Sequence, residues 1–142
     1  MKIVRRGSAA WGGGIMDGKG FISTESGALA RYPYGFASRF EGQKGSNPEE
    51  LLGAAHAACF TMALSLELGN AKLTAESLET TAKVTLEQVQ SGYAITAVHL
   101  LLEGKVPGAT PAQFAQIANG AKANCPLSKV LKADITLEAR LI

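Results

Sequence analysis

The chain has 142 residues, enough for one ordinary domain over residues 1–142 and too few for two full cores. Its composition, 46% apolar and 18% charged, fits a globular protein and excludes a disordered one. A net charge of +2, with no run of lysines and arginines, argues against a nucleic-acid partner.

The opening residues, Met1-Lys2-Ile3-Val4-Arg5-Arg6-Gly7, are basic with no apolar stretch behind them, so no secretory signal is expected. No segment is expected to reach the length that spans a bilayer, and no membrane partner is expected. The expected compartment is the cytoplasm. There, the two cysteines are expected to be free, catalytic or redox-active rather than joined in a structural bridge.

Residues 1–11 and 19–26 hold short apolar or β-branched runs broken by Gly12-Gly13-Gly14 and Gly18, which predicts strands and a hairpin. A third extended stretch is expected from Tyr34 to Phe40. Asn47-Pro48-Glu49-Glu50 then predicts a helix start: Asn47 can cap, Pro48 suits the first helical position, and two carboxylates complement the positive end of the helix dipole. Glu50 stands three residues beyond the cap, as a capping box requires. The helix is expected to run to about Leu68, with Gly69 as its stop.

Leu78, Thr80, Ala82, Val84 and Leu86 alternate with Glu79, Thr81, Lys83, Thr85 and Glu87, the pattern of a half-buried strand. Residues 93–103 read as its hairpin partner across Ser91-Gly92. Thr110-Pro111-Ala112-Gln113 opens a second helix, with Phe114, Ile117, Ala118 and Ala121 on one face. Asn124-Cys125-Pro126 interrupts it and predicts a short helix through Lys132. Ile135, Leu137, Ala139 and Leu141 alternate in a last strand. Strands and helices grouped in this way predict an α+β fold with largely antiparallel pairing around a long central helix.

Chemistry narrows to the thiols. The candidate metal ligands are His56, Cys59, His99 and Cys125; only His56 and Cys59 are close in sequence, no CxxC or HExxH pattern occurs, and no metal or cofactor is expected. His99, in a strand, reads as a packed or hydrogen-bonded residue. The glycine-rich stretches Trp11-Gly12-Gly13-Gly14 and Gly18-Lys19-Gly20 match no nucleotide fingerprint and read as hairpin turns, and no GxSxG marks a hydroxyl nucleophile. Cys59, mid-helix, would on its own be an inert buried residue. Two neighbours argue otherwise. Arg39, between Phe36 and Phe40, could place a guanidinium beside an apolar thiol and lower its pKa; Cys125 precedes Pro126 at a helix start, a setting that activates thiols. Together they outline a dithiol redox site.

Arg39-Phe40-Glu41-Gly42, Gly45-Ser46-Asn47-Pro48-Glu49-Glu50-Leu51, Ala54-Ala55-His56-Ala57-Ala58-Cys59-Phe60 and Cys125-Pro126-Leu127-Ser128 resemble the osmotically inducible protein C (OsmC) family, as does Ser23-Thr24-Glu25-Ser26-Gly27. The likeness covers essentially the whole chain. The organic hydroperoxide resistance (Ohr) branch carries its arginine in the N-terminal glycine-rich loop and a tyrosine where His56 stands. Here the arginine is Arg39, so the sequence looks like the OsmC branch. The resemblance implies two intertwined α+β subunits in an obligate homodimer and a peroxidase for organic hydroperoxides. It further implies that Cys59 attacks the peroxide and that Cys125 resolves the sulfenic acid as a disulfide. Arg39 would stabilise the thiolate, Glu49 would orient the arginine, and a lipoyl-type dithiol would be the reductant. The competing expectation is a small-molecule or lipid carrier with incidental cysteines.

Helix geometry adds one expectation. Glu49 and Cys59, ten residues apart on one helix, are separated by about 15 Å along its axis. Two copies of the helix crossing antiparallel at Gly53-Ala54-Ala55 would bring Glu49 of one chain level with Cys59 of the other. His56, three residues before Cys59, is expected either to tune that thiol or to be a hydrogen-bonded polar group at a subunit interface.

Overall fold

A computed structural model describes all 142 residues, in two compact units, Met1–Leu51 and Leu52–Ile142. Met1–Leu51 carries an antiparallel sheet in the order β1 (Gly7–Gly12), β2 (Lys19–Thr24), β3 (Tyr32–Tyr34). The glycines act as the hairpin reading expects. Gly13 takes φ +94°, and the Gly14 N–H donates to Asp17 Oδ1 at 3.0 Å to close the turn. Gly20 also makes room for aromatics, since a Cβ there would lie 2.4 Å from the Tyr34 ring and 2.6 Å from Trp11.

The extended stretch expected from Tyr34 to Phe40 is corrected. Only Tyr34 is strand, and Phe36–Phe40 is a short helix, α1. The reason is Ser38, whose hydroxyl accepts from the Gly35 N–H at 2.9 Å and lies 2.9 Å from the Ser46 carbonyl oxygen. That side chain satisfies the first turn and ties it to a residue eight positions on.

Helix α2, Pro48–Asn70, begins in this unit as its caps predict, with the Glu50 N–H donating to Asn47 Oδ1 at 2.8 Å. Its end differs: Gly69 is still helical. Lys72, at φ +61°, closes it, donating to the Gly69 carbonyl while Leu73 donates to that of Leu68 at 2.9 Å, a Schellman ending built on lysine. The expectation that no segment reaches bilayer-spanning length is also overturned. The 23 residues of α2 include a window of mean hydropathy 1.5, long and apolar enough by length and composition, because no charge falls between Glu50 and Glu67. The core helix of a water-exposed domain meets the same test.

In Leu52–Ile142, β4 (Ser77–Val89) and β5 (Gly92–Lys105) form the expected hairpin, turning at Gly92 with φ +120°. Thr110 caps α3 (Pro111–Asn124) through the Gln113 N–H at 3.1 Å; α4 (Pro126–Val130) and β6 (Asp134–Leu141) follow. β6 pairs parallel with β5, giving a sheet in the order β4-β5-β6. A parallel neighbour requires a crossover, and α3 with α4 supplies it. Among the strands the pairing is thus antiparallel except at this edge; an isolated parallel bridge joins Tyr34 and Ser46 in Met1–Leu51.

The core joins Phe60, Leu64 and Leu68 of α2, Val98, Leu100 and Leu102 of β5, and Phe114, Ala118 and Ala121 of α3. The α2 residues recur at spacings of four, one buried stripe of a helix. Gly53 belongs to the same stripe for a local reason: a Cβ there would lie 3.1 Å from the Ala82 carbonyl oxygen of β4. Ala54 and Ala55 are exposed. Of the three small residues expected at a crossing between two helices, Gly53 is therefore engaged within its own chain.

Candidate active site

Within Met1–Leu51, Arg39 and Glu49 form a forked ion pair. Arg39 Nη2 donates to Glu49 Oε1 at 2.7 Å, and Nε lies 3.2 Å from Oε2. α1 supplies the arginine and the first turn of α2 the carboxylate, so the Ser38 and Asn47 caps position both. The guanidinium Cζ also sits 5.4 Å from the centre of the Phe40 ring, and the Phe36 and Phe40 rings lie 4.9 Å apart. Beside them is an apolar cleft of about 300 Å³ lined by Trp11, Ile15, Tyr34, Phe36, Arg39 and Phe40. Trp11, Ile15 and Tyr34 had no assigned role in the sequence. The signal for Trp11 and Tyr34 was an aromatic in each of two strands beside a glycine; Ile15, in the turn between β1 and β2, gave none.

Within Leu52–Ile142, Cys59 of α2 and Cys125 at the α3–α4 junction are both free thiols, and Cys125 Sγ lies 3.0 Å from Cys59 Sγ. Their environments differ. Cys125 is fully buried, whereas Cys59 is partly exposed on the α2 face that also carries the exposed Met62 and Leu66.

Burial pushes the Cys59 thiol up from its ordinary value, and its contact with Cys125 adds to the rise, against a smaller lowering by the Leu127 backbone N–H. Burial acts in the same upward direction on Cys125. There its interactions with Cys59, Ser128 and the Leu127 backbone outweigh it, and the thiol lies below its ordinary value.

His56 is fully buried, and its Nε2 lies 2.9 Å from Ser128 Oγ. It is buried inside its own unit and is not left for a subunit interface. Burial holds its pKa below the ordinary value, which favours the neutral ring. Ser128 was legible only as part of the Cys125-Pro126-Leu127-Ser128 motif. Its signal was a hydroxyl three residues beyond the residue that caps α4. His99 is hydrogen-bonded as expected, with Nδ1 2.6 Å from Thr136 Oγ1.

The model of the OsmC-like protein family matches residues 41–140. A protein of Escherichia coli strain K12 named peroxiredoxin OsmC is 57% identical over 141 residues, 99% of each chain. The organic hydroperoxide resistance protein OhrA of Bacillus subtilis is 34% identical over 100 residues, 68% of each chain. The crystal structure of OhrB from B. subtilis superposes with a TM-score of 0.72 at 25% identity, covering 96% of this chain and 98% of that one. By sequence along nearly its whole length and by fold, this chain belongs to the OsmC-like protein family.

Proposed function

We propose that the chain is a cysteine-based peroxidase that reduces organic hydroperoxides. The observation that carries this reading is the pair of free thiols 3.0 Å apart, one partly exposed and one fully buried. The names of its relatives, a peroxiredoxin and an organic hydroperoxide resistance protein, support it. A carrier with incidental cysteines would have no need to hold two sulfurs in contact.

In the proposed cycle the Cys59 thiolate attacks one oxygen of the hydroperoxide. An S–O bond forms, the O–O bond breaks, and the departing alkoxide takes a proton to leave as the alcohol. Cys125 then attacks the Cys59 sulfenic acid. The S–S bond forms, the S–O bond breaks, and the oxygen leaves as water. A dithiol reductant, of lipoyl type, returns both cysteines to thiols and becomes a disulfide itself.

Burial alone would leave Cys59 a poor nucleophile, since it raises the thiol pKa. The reading therefore needs a cation, and Arg39 is assigned that role with Glu49 holding its fork in place. The apolar cleft beside Arg39 suits the carbon chain of an organic hydroperoxide better than hydrogen peroxide. The functional unit is a homodimer. Met62 and Leu66, 77% and 65% exposed on the Cys59 face of α2, give a second copy an apolar surface to cover. The reduced thiols suit a cytoplasmic location.

The test is consumption of an organic hydroperoxide with dihydrolipoamide as electron donor, beside a thioredoxin system as control. Turnover that requires Cys59 and prefers dihydrolipoamide is expected. Undiminished turnover by Cys59→Ser protein would sink the peroxidase assignment.

A further inference from the structure

His56 is the buried polar side chain of Leu52–Ile142, and the peroxidase cycle leaves it without a task. Its Nδ1 is buried with no hydrogen-bond partner, and its one tie is at Nε2, 2.9 Å from Ser128 Oγ. Hydrogen on Nδ1 would bury an N–H group with no acceptor. The neutral ring is better satisfied with its hydrogen on Nε2, donated to the serine oxygen. That bond stands in register with the dithiol. His56 and Cys59 are three residues apart on α2, and Ser128 and Cys125 are three apart at the start of α4. The two segments run in opposite directions and meet at two rungs, His56 to Ser128 at 2.9 Å and Cys59 to Cys125 at 3.0 Å. A further contact lies beyond Cys59 on α2, where Asn124 Nδ2 donates to Glu67 Oε1 at 3.4 Å.

The backbone carries the first rung to the second. Cys125 is the residue flanking α4 at its N-terminus, and the Lys129 N–H donates to the Cys125 carbonyl at 3.1 Å, so one turn of helix joins Ser128 to Cys125. A helix of five residues has little stability of its own and is kept in place by its contacts. Leu127 packs against the core, and the bond to His56 ties the same turn to α2. Because His56 is fully buried, no water competes for that bond.

We infer that His56 and Ser128 are a positioning pair for the resolving step: their hydrogen bond pins α4 to α2 and holds the Cys125 sulfur at Cys59. The inference rests on the reading of Cys125 as the resolving thiol. In that step the Cys125 thiolate attacks the Cys59 sulfenic sulfur. The S–S bond forms, the S–O bond breaks, and the released hydroxide takes a proton from solvent to become water. The pin keeps the two sulfurs at the contact distance from which closure starts. Without it the turn is held by fewer contacts, the local concentration of Cys125 falls, and excess peroxide gains time to carry the sulfenic acid on to the sulfinic acid.

The test separates the two steps of one turnover. After one equivalent of tert-butyl hydroperoxide, mass spectrometry of acid-quenched samples follows formation of the Cys59 sulfenic acid and then its conversion to the disulfide. Ser128→Ala should slow the conversion about tenfold, the loss of one hydrogen bond's worth of positioning, with sulfenic acid forming at the parent rate. His56→Asn, whose amide is too short to reach Ser128, should do the same, and the double variant should be no slower than either single one. His56→Gln, which sets an amide N–H near the place of Nε2–H, and Ser128→Thr, which keeps the hydroxyl, should close the disulfide at close to the parent rate. A second measurement needs no peroxide: with the protein equilibrated against reduced and oxidised dithiothreitol, Ser128→Ala should shift the balance from disulfide toward dithiol. Closure at the parent rate in folded Ser128→Ala or His56→Asn protein would overturn the inference, as would His56→Gln and Ser128→Thr both closing as slowly as those two. Either of the first two variants suffices where the other does not fold. Failure of the parent protein to consume peroxide would instead count against the peroxidase reading; the dithiothreitol balance would then decide on the pair, and an unshifted balance in Ser128→Ala protein would overturn it.

Discussion

Cys59 and Cys125 are 66 residues apart in the chain, yet their sulfurs lie 3.0 Å apart. The long helix α2 delivers the first and the break between α3 and α4 the second, so a sulfenic acid formed on Cys59 arises beside the thiol that can consume it. Such proximity favours reversible disulfide chemistry over irreversible oxidation. Within this unit the buried Cys125 is the more acidic of the two, and the partly exposed Cys59 is the less acidic. Exposure and acidity therefore point to different nucleophiles, and the choice of Cys59 follows the resemblance to the OsmC family.

Single-turnover chemistry distinguishes them. Cys59→Ser should abolish the first turnover. Cys125→Ser should permit one turnover and leave Cys59 as sulfenic acid, seen by mass spectrometry after one equivalent of peroxide. A stable sulfenate on Cys125 in Cys59→Ser protein, formed at an undiminished rate, would reverse the roles.

Arg39 is expected to be intolerant of lysine. Lysine keeps the charge but loses the planar fork that bonds Glu49 through two nitrogens. Arg39→Lys should be impaired at least about tenfold in peroxide consumption, and Arg39→Ala should raise the Cys59 midpoint by about one to three pH units. The rate of Cys59 alkylation across pH reads this directly. A profile unchanged in the alanine variant would remove Arg39 from the mechanism.

A composite site predicts complementation. Glu49 and Cys59 share α2 at a separation of about 15 Å along its axis, a long reach for one arginine within a chain. If each site combines Glu49 of one subunit with Cys59 of the other, mixing inactive Glu49→Ala chains with inactive Cys59→Ser chains creates one intact site per mixed dimer. Activity should reappear after subunit exchange. An inactive mixture, with exchange verified, would place both residues in the same chain's site.

His56 also predicts an acid dependence of stability. Burial holds its pKa below the ordinary 6.5, so between the two values the unfolded chain binds more proton than the folded one. Stability then rises with pH across that window and is lost as pH falls from about 6.5 through the folded-state pKa, with a slope approaching about 1.4 kcal/mol per pH unit. Denaturant unfolding at pH 7.5 and 5 should show a larger loss for the parent than for His56→Gln. Parallel losses in the two proteins would mean that His56 does not titrate on unfolding.

What the residues determined on their own was mostly local. Asn47 and Thr110 cap helices because the N–H groups they satisfy lie three residues away, and the alternation from Leu78 to Leu86 marks a strand whatever pairs with it. The dithiol was visible as two cysteines in apolar and helix-start settings. Their pairing and their roles came from family resemblance. Tertiary structure decided whatever depends on a partner far along the chain. Phe36–Phe40 became a helix because Ser38 could also reach Ser46, and β6 lies parallel to β5 because α3 and α4 carry the chain back across the sheet. Gly53 was small for the sake of β4 in its own chain, and His56 found its partner 72 residues away at Ser128. Caps and alternation are satisfied within a turn or a strand of themselves. A buried hydrogen bond between distant residues acquires its partner only once the core has closed around it.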